Sequence, residues 1–174
     1  MELRKRGENA LVIGGGTQIY ELAERGLLAD ITALVDLGKL GIDTVGRRGG
    51  LLEIGANVRL STLESHEALH HQSLGALIDS LGSIHPIQVK NLATVGGAVC
   101  SSISFFDLPV ALAALDAKVT VSGGQTATRA SSVTDFMVDF LTTNLGPGEF
   151  ATGVTLDPLG QSHVARILEA AFGP

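Results

Sequence analysis

The sequence predicts an α+β fold made of two small α/β lobes. Three observations carry that expectation. Short β-branched runs and helix-period stretches are interspersed along the chain without strict alternation. Residues 1–40 run strand, glycines, helix, strand, the order of a βαβ-like unit with parallel strands. From residue 42 onward the pattern shortens to hairpins joined by helices. The 174 residues amount to about one domain, since domains run to roughly 100–200 residues. The expected organisation is a single domain, with a partial N-terminal lobe over 1–40, a second lobe over 41–158 and a tail over 159–174.

The elements follow in order. Ala10–Ile13 is a short apolar strand ending in Gly14-Gly15-Gly16-Thr17, and behind it Ile19, Leu22, Ala23 and Leu27 recur at helical spacing. Ile31–Leu37 is a second β-branched run. Ile42–Val45 and Leu51–Ile54 flank a Gly/Arg turn, Gly46–Gly50, and predict a hairpin. Ser61 is placed to cap a helix from Thr62, with Glu64 at the capping-box position. Ser73–Leu81 is amphipathic and stops at Gly82; a polar stretch, His85–Asn91, then leads to Ala93–Val99. Asp107 opens a helix with Pro109 in its first turn, where the missing N–H does no harm. Lys118–Ser122, the Gly123-Gly124 turn and Ala127–Ala130 form a hairpin, Ser132–Phe136 a short helix and Glu149–Leu156 a last strand.

Composition narrows the function. Net charge −6 and a pI near 5.2 oppose binding to a nucleic-acid backbone, which requires a basic face. A single cysteine, Cys100, excludes an internal disulfide and any cluster held by this chain's thiols alone. No apolar run approaches the roughly 18 residues of a membrane helix, and the charged start followed by a short apolar run does not fit a signal peptide, so a soluble cytoplasmic protein is expected. Glycine is the outlier, 22 residues of 174 against a usual share of about 7%.

Two glycine clusters are the sites most suited to chemistry. Gly14-Gly15-Gly16-Thr17 sits between a strand and a helix, where unpaired amides and the positive helix end can receive a phosphate; taken alone, a tight strand–helix turn is the plainer reading. Thr94-Val95-Gly96-Gly97 is the second, with Ser101, Ser102 and Ser104 behind it, and a β-bulge is its plain alternative. Two such turns suit a diphosphate, with only Lys90 and Arg59 near them as cations. His66-Glu-Ala-Leu-His70 satisfies H-E-x-x-H, yet lacks the glycine and downstream acid of a zinc site, and a solvated cluster is expected instead. His85 is expected to serve a loop, Phe105-Phe106 to pack in the core, and Cys100 to be a buried small hydrophobe.

Five ordered segments resemble one family. Asn91–Cys100 is similar to the N-R-x-T-I-G-G-N-L stretch of the FAD-binding medium subunits of molybdenum hydroxylases, the carbon monoxide dehydrogenase and xanthine dehydrogenase group. Leu11–Ile19 resembles that family's L-L-A-G-G-T-D-L loop, and Leu51–Leu63 its L-x-I-G-A-x-x-T-x-x-x-L run. Asp107-Leu-Pro109 with Ala113–Lys118, and Leu145–Glu149, resemble its D-L-P…A-L-x-A-x-V and L-x-x-G-E segments.

The resemblance implies an α+β FAD-binding domain lacking the family's C-terminal lobe. It also implies FAD held on its diphosphate by Gly14, Gly15, Gly16, Thr17 and Gln18 and by Thr94, Val95, Gly96 and Gly97. Ser101 and Asp107 would be further contacts and Leu145 would lie near the flavin ring. It implies no catalytic side chain and no metal on this chain. Electrons would come from an iron–sulfur small subunit, fed by a molybdopterin large subunit, and leave through FAD to an external acceptor. Ala98 stands where the family commonly has Asn. That departure keeps a second reading open, a structural or assembly component of the same fold without flavin.

Overall fold

The computed structural model describes residues 9–124, 127–157 and 166–167; the expected tail therefore lies almost wholly outside the described residues. The fold is α+β. β1 (Ala10–Ile13) and β2 (Ala33–Asp36) pair in parallel, and α1 (Thr17–Glu24) connects them. α1 buries no side chain fully. Ala10, Val12 and Val35 pack instead around Leu37 and Phe150, and Phe150 belongs to the larger sheet, so the small parallel pair is anchored to the rest of the chain by apolar contact.

That larger sheet has five strands, each antiparallel to its neighbour. In spatial order they are β3 (Val45–Arg48), β4 (Leu51–Gly55), β9 (Glu149–Leu156), β5 (Lys118–Gly123) and β6 (Arg129–Ser132), numbered along the chain. Alternation decides its inner face. Leu52 and Ile54, Val119 and Val121, and Val154 and Leu156 point into one core. Helices α3 (Gly75–Ser83), α5 (Val95–Cys100), α6 (Asp107–Ala114) and α7 (Val133–Phe136) cover that face with Leu77, Leu81, Val99, Leu112 and Phe136. Each such side chain contributes about 1.5–3 kcal/mol on leaving water. Two short helices, α2 (Leu60–Glu64) and α4 (Ile87–Leu92), and a small hairpin of β7 (Met137–Asp139) with β8 (Thr142–Thr143) complete the described chain.

Several local expectations shift. The first hairpin begins at Val45 rather than Ile42, and its turn is only Gly49-Gly50. Both glycines have positive φ, which a two-residue hairpin turn requires, so Arg47 and Arg48 enter the strand. Ser61 does not cap α2. The helix starts two residues earlier, at Leu60, with Arg59 as its N-cap and no side-chain cap. The polar stretch 85–91 contains α4, and Thr94-Val-Gly-Gly is not a bulge: Thr94 caps α5 by accepting from the Gly97 amide at 3.1 Å. His66 and His70 flank a single 3-10 turn, Glu67–Leu69, and so never share an α-helical face.

One buried ion pair ties α2 to α4. Lys90 Nζ lies 2.8 Å from Glu64 Oε1, with the lysine side chain 6% exposed and the glutamate 33%. Removing the better-solvated partner strands a buried ammonium. Glu64→Ala is therefore expected to lower stability by about 2–3 kcal/mol, more than Lys90→Met, which leaves a carboxylate still in contact with water. Urea unfolding of both variants checks the order.

Candidate functional site

A cleft of about 640 Å3 opens where β1 passes into α1, opposite the α4–α5 junction. Nine of the twelve residues that the sequence singles out line it: Gly14, Gly15, Gly16, Thr17, Gln18, Thr94, Gly97, Ser101 and Asp107. Val95, Gly96 and Leu145 are not among its walls. Val95 is fully buried and its amide is bonded to the Val58 carbonyl at 3.0 Å. The Gly96 amide is likewise spent on the Ala56 carbonyl at 2.8 Å, and Leu145 packs against the main core. Val95 and Gly96 pack inward because the first turn of α5 lies against the sheet core.

The glycines divide by what excludes a side chain. A Cβ on Gly14 would come 2.9 Å from Thr94 Oγ1, and one on Gly15 would strike the Leu92 carbonyl. Gly16 has φ 75, the left-handed region. A Cβ on Gly96 would stand 2.7 Å from the Ala56 side chain. Gly97 differs. Only the Thr94 hydroxyl, at 3.1 Å, approaches it, so its missing side chain leaves space on the cleft side.

Backbone amides and hydroxyls supply hydrogen-bond donors at the site. Gly16 caps α1 without a side chain, which leaves the amides of the first helical turn, on residues that line the cleft, without an intrahelical acceptor. Thr17, Thr94 and Ser101 add hydroxyls. The two cations near the loops are engaged elsewhere: Lys90 with Glu64, and Arg59, whose guanidinium donates to the Asn91 carbonyl at 2.8 Å. No lysine or arginine lines the cleft among the described residues. Of its two carboxylates, Glu21 is paired with Arg25 at 2.6 Å. Asp107 accepts from Ser83, which also lines the cleft. Sequence reasoning missed Ser83, because nothing in a lone serine after Gly82 signals that α3 ends beside α6. Such an arrangement accepts an anion through amides and hydroxyls, while Asp107 is suited to accept from a ligand hydroxyl.

Phe105 and Phe106 depart from the core expectation. Both are exposed and both line the cleft. Cys100 lies in the wall, half-buried; burial pushes its thiol up to about 12, an effect that its hydrogen bond to the Ala151 backbone only partly offsets. Ser101, Ser102 and Ser104 form no nucleophile arrangement. The Ser101 hydroxyl donates to the Ala98 carbonyl at 2.7 Å, and that of Ser102 to carbonyls of the β7–β8 hairpin. Among the described residues no group of three metal-ligating side chains occurs.

The model of a family described as the FAD binding domain in molybdopterin dehydrogenase matches residues 1–158. The alpha subunit of the 6-hydroxypseudooxynicotine dehydrogenase complex of Paenarthrobacter nicotinovorans is 27% identical over 154 residues, covering 88% of this chain and 51% of that protein. The glyceraldehyde dehydrogenase medium chain of Sulfolobus acidocaldarius is 25% identical over 157 residues, 87% of this chain and 53% of that one. The chain thus spans about half the length of the curated relatives it matches. Among solved structures, reconstituted CO dehydrogenase from Oligotropha carboxidovorans superposes with a TM-score of 0.84 at 24% identity, over 92% of this chain and 55% of that one. Quinoline 2-oxidoreductase from Pseudomonas putida 86 gives 0.83 at 23%, over 91% and 55%. These two likenesses establish the fold.

Two outcomes follow from the geometry. Gly96→Ala should cost about 1–3 kcal/mol through overpacking on Ala56, while Gly97→Ala changes stability by no more than about 1 kcal/mol; thermal denaturation separates them. Because burial disfavours the thiolate, Cys100 should react with iodoacetamide far more slowly at pH 8 in the native chain than in urea. Equal rates would contradict its burial.

Proposed function

The chain belongs to the family of FAD-binding domains of molybdopterin dehydrogenases, and from that premise we propose that it is the electron-transfer flavin domain of a molybdenum-containing hydroxylase. Its cofactor is FAD. The observation that carries the reading is the convergence of the glycine loop at α1 and the Thr94-capped turn of α5 on one cleft that, among the described residues, is lined by no lysine or arginine. A diphosphate fits that donor set. The first-turn amides of α1 and the Thr17 hydroxyl would hold it from one side, and the Thr94 side and the open face of Gly97 from the other. The cradle is shaped for close approach, because a Cβ on Gly97 would enter it and the backbone there is otherwise uncovered.

Within this reading the residues bind and orient. Gly14 and Gly15 let the first loop lie against the second, and Ser83 fixes one oxygen of Asp107 while the other is free to accept from a ribityl or ribose hydroxyl. FAD itself supplies reversible redox chemistry in one- or two-electron steps. No side chain of the cleft is assigned an acid–base role. We place the electron source on a partner iron–sulfur subunit and substrate oxidation on a molybdopterin subunit. The names of the relatives, a complex subunit alpha and a medium chain, support a multi-subunit setting. The single 1–174 domain and a cytoplasmic location belong to the same reading; no described helix is long and apolar enough to cross a membrane.

Ala98 favours the second reading, a structural or assembly component without flavin, because it lines the cleft with a methyl group and offers no hydrogen bond. One experiment separates the two. The purified chain is equilibrated with FAD, freed of excess, and its visible spectrum recorded. Stoichiometric flavin absorbance, with identical FAD released on heating, supports the first reading; a colourless protein that takes up none overturns it. In the first case Gly97→Val should weaken FAD binding about tenfold or more, equivalent to about 1.4 kcal/mol, with the melting temperature little changed.

A further inference from the structure

The loop between α5 and α6 exposes Phe105 and Phe106 by 71% and 37%, and the tip of the β7–β8 hairpin exposes Phe140 by 58%. Phe105 lies nearly parallel to Phe140, with ring centroids 6.4 Å apart at 22°, and edge-on to Phe106 at 5.5 Å and 81°. Large apolar side chains left together in water mark something that covers them. Phe105, Phe106 and the hairpin's Leu141 line the same cleft as the glycine loop.

The cluster is held in place by a buried residue. Ser102 is 2% exposed and has φ 49, a left-handed conformation that non-glycine residues rarely adopt. Its hydroxyl lies 2.8 Å from the carbonyls of both Asp139 and Thr142, and its own carbonyl accepts from the Leu141 amide at 3.1 Å. One residue thus fastens both ends of the hairpin tip to the loop that bears Phe105. The rings are preorganised before anything binds, which lowers the ordering cost of binding.

We propose that Phe105, backed by Phe140 and flanked by Phe106, is a stacking platform for one planar ring of the dinucleotide in the cleft. This rests on the FAD-binding reading above. Phe105 and Phe106 line the same cleft as the two loops proposed to seat the diphosphate, so a ring system joined to that diphosphate would find the aromatic faces in the same cavity. Apolar residues of the neighbourhood that do not line the cleft, such as Val110 and Val138, have no part in the platform. Isoalloxazine and adenine share the chemistry that the rim recognises, a polarisable π-face.

The test is a titration of the full chain and its variants with FAD, followed by flavin fluorescence and by calorimetry. Phe105→Ala is expected to weaken FAD binding about tenfold, within the range that stacking on an aromatic side chain supplies. Phe105→Trp should restore it, and Val110→Ala should leave it unchanged. Competition with FMN and with ADP then assigns the ring: the ligand that loses affinity in Phe105→Ala carries it. If the wild-type chain binds FAD and Phe105→Ala binds it equally, or if Val110→Ala weakens it as much, the platform is overturned and the functional reading stands. If the wild-type chain binds no FAD, the functional reading falls and the platform with it.

Discussion

Gly15 lies directly against the Leu92 carbonyl, and this approach of backbone to backbone makes one cleft out of two lobes. No residue with a side chain fits there, so the first loop is held to glycine by a contact within the protein itself. Gly14 repeats the constraint against Thr94, whose hydroxyl in turn accepts from the Gly97 amide and starts α5. The position of α4 therefore matters as much as the glycines. The buried Lys90–Glu64 pair and the bond from Arg59 to the Asn91 carbonyl fix α4 against α2. Basic residues that look like ligands for an anion act instead as fasteners for the wall beside it.

That assignment changes the electrostatics of the site. With its nearby cations engaged, the cleft offers helix-end amides, hydroxyls and one oriented carboxylate. Amides fixed in a fold cost no reorganisation when an anion arrives, and they do not attract every polyanion in solution as a basic surface does. The overall charge of −6 is consistent with the proposed diphosphate site, which would work at short range through geometry. The half-buried Cys100 in the same wall stays a neutral thiol because its surroundings disfavour the thiolate.

The five-stranded sheet and its helices are ordinary in their energetics, an apolar face covered by apolar helices. The N-terminal pair is not. It is parallel, two-stranded and served by a helix with no fully buried residue, so it depends on Leu37 and Phe150 for attachment.

By itself the sequence determined the strand–glycine–helix–strand order, the three central strands of the large sheet (β4, β9 and β5) and the presence of two glycine clusters, because apolar period and backbone-permissive residues act locally. It also carried the family likeness, through five short segments in order. Tertiary structure alone decided which glycines face the cleft and which face protein. Gly96 and Gly97 are adjacent in the chain, yet one meets Ala56 and the other the cleft, a difference of one helical step that spacing does not record. It also decided that Phe105 and Phe106 stand in solvent rather than in the core, and that Ser83 reaches Asp107 across 24 residues. Such facts depend on where separate elements come to rest, and that is set by close packing between surfaces distant in the chain, not by any local preference.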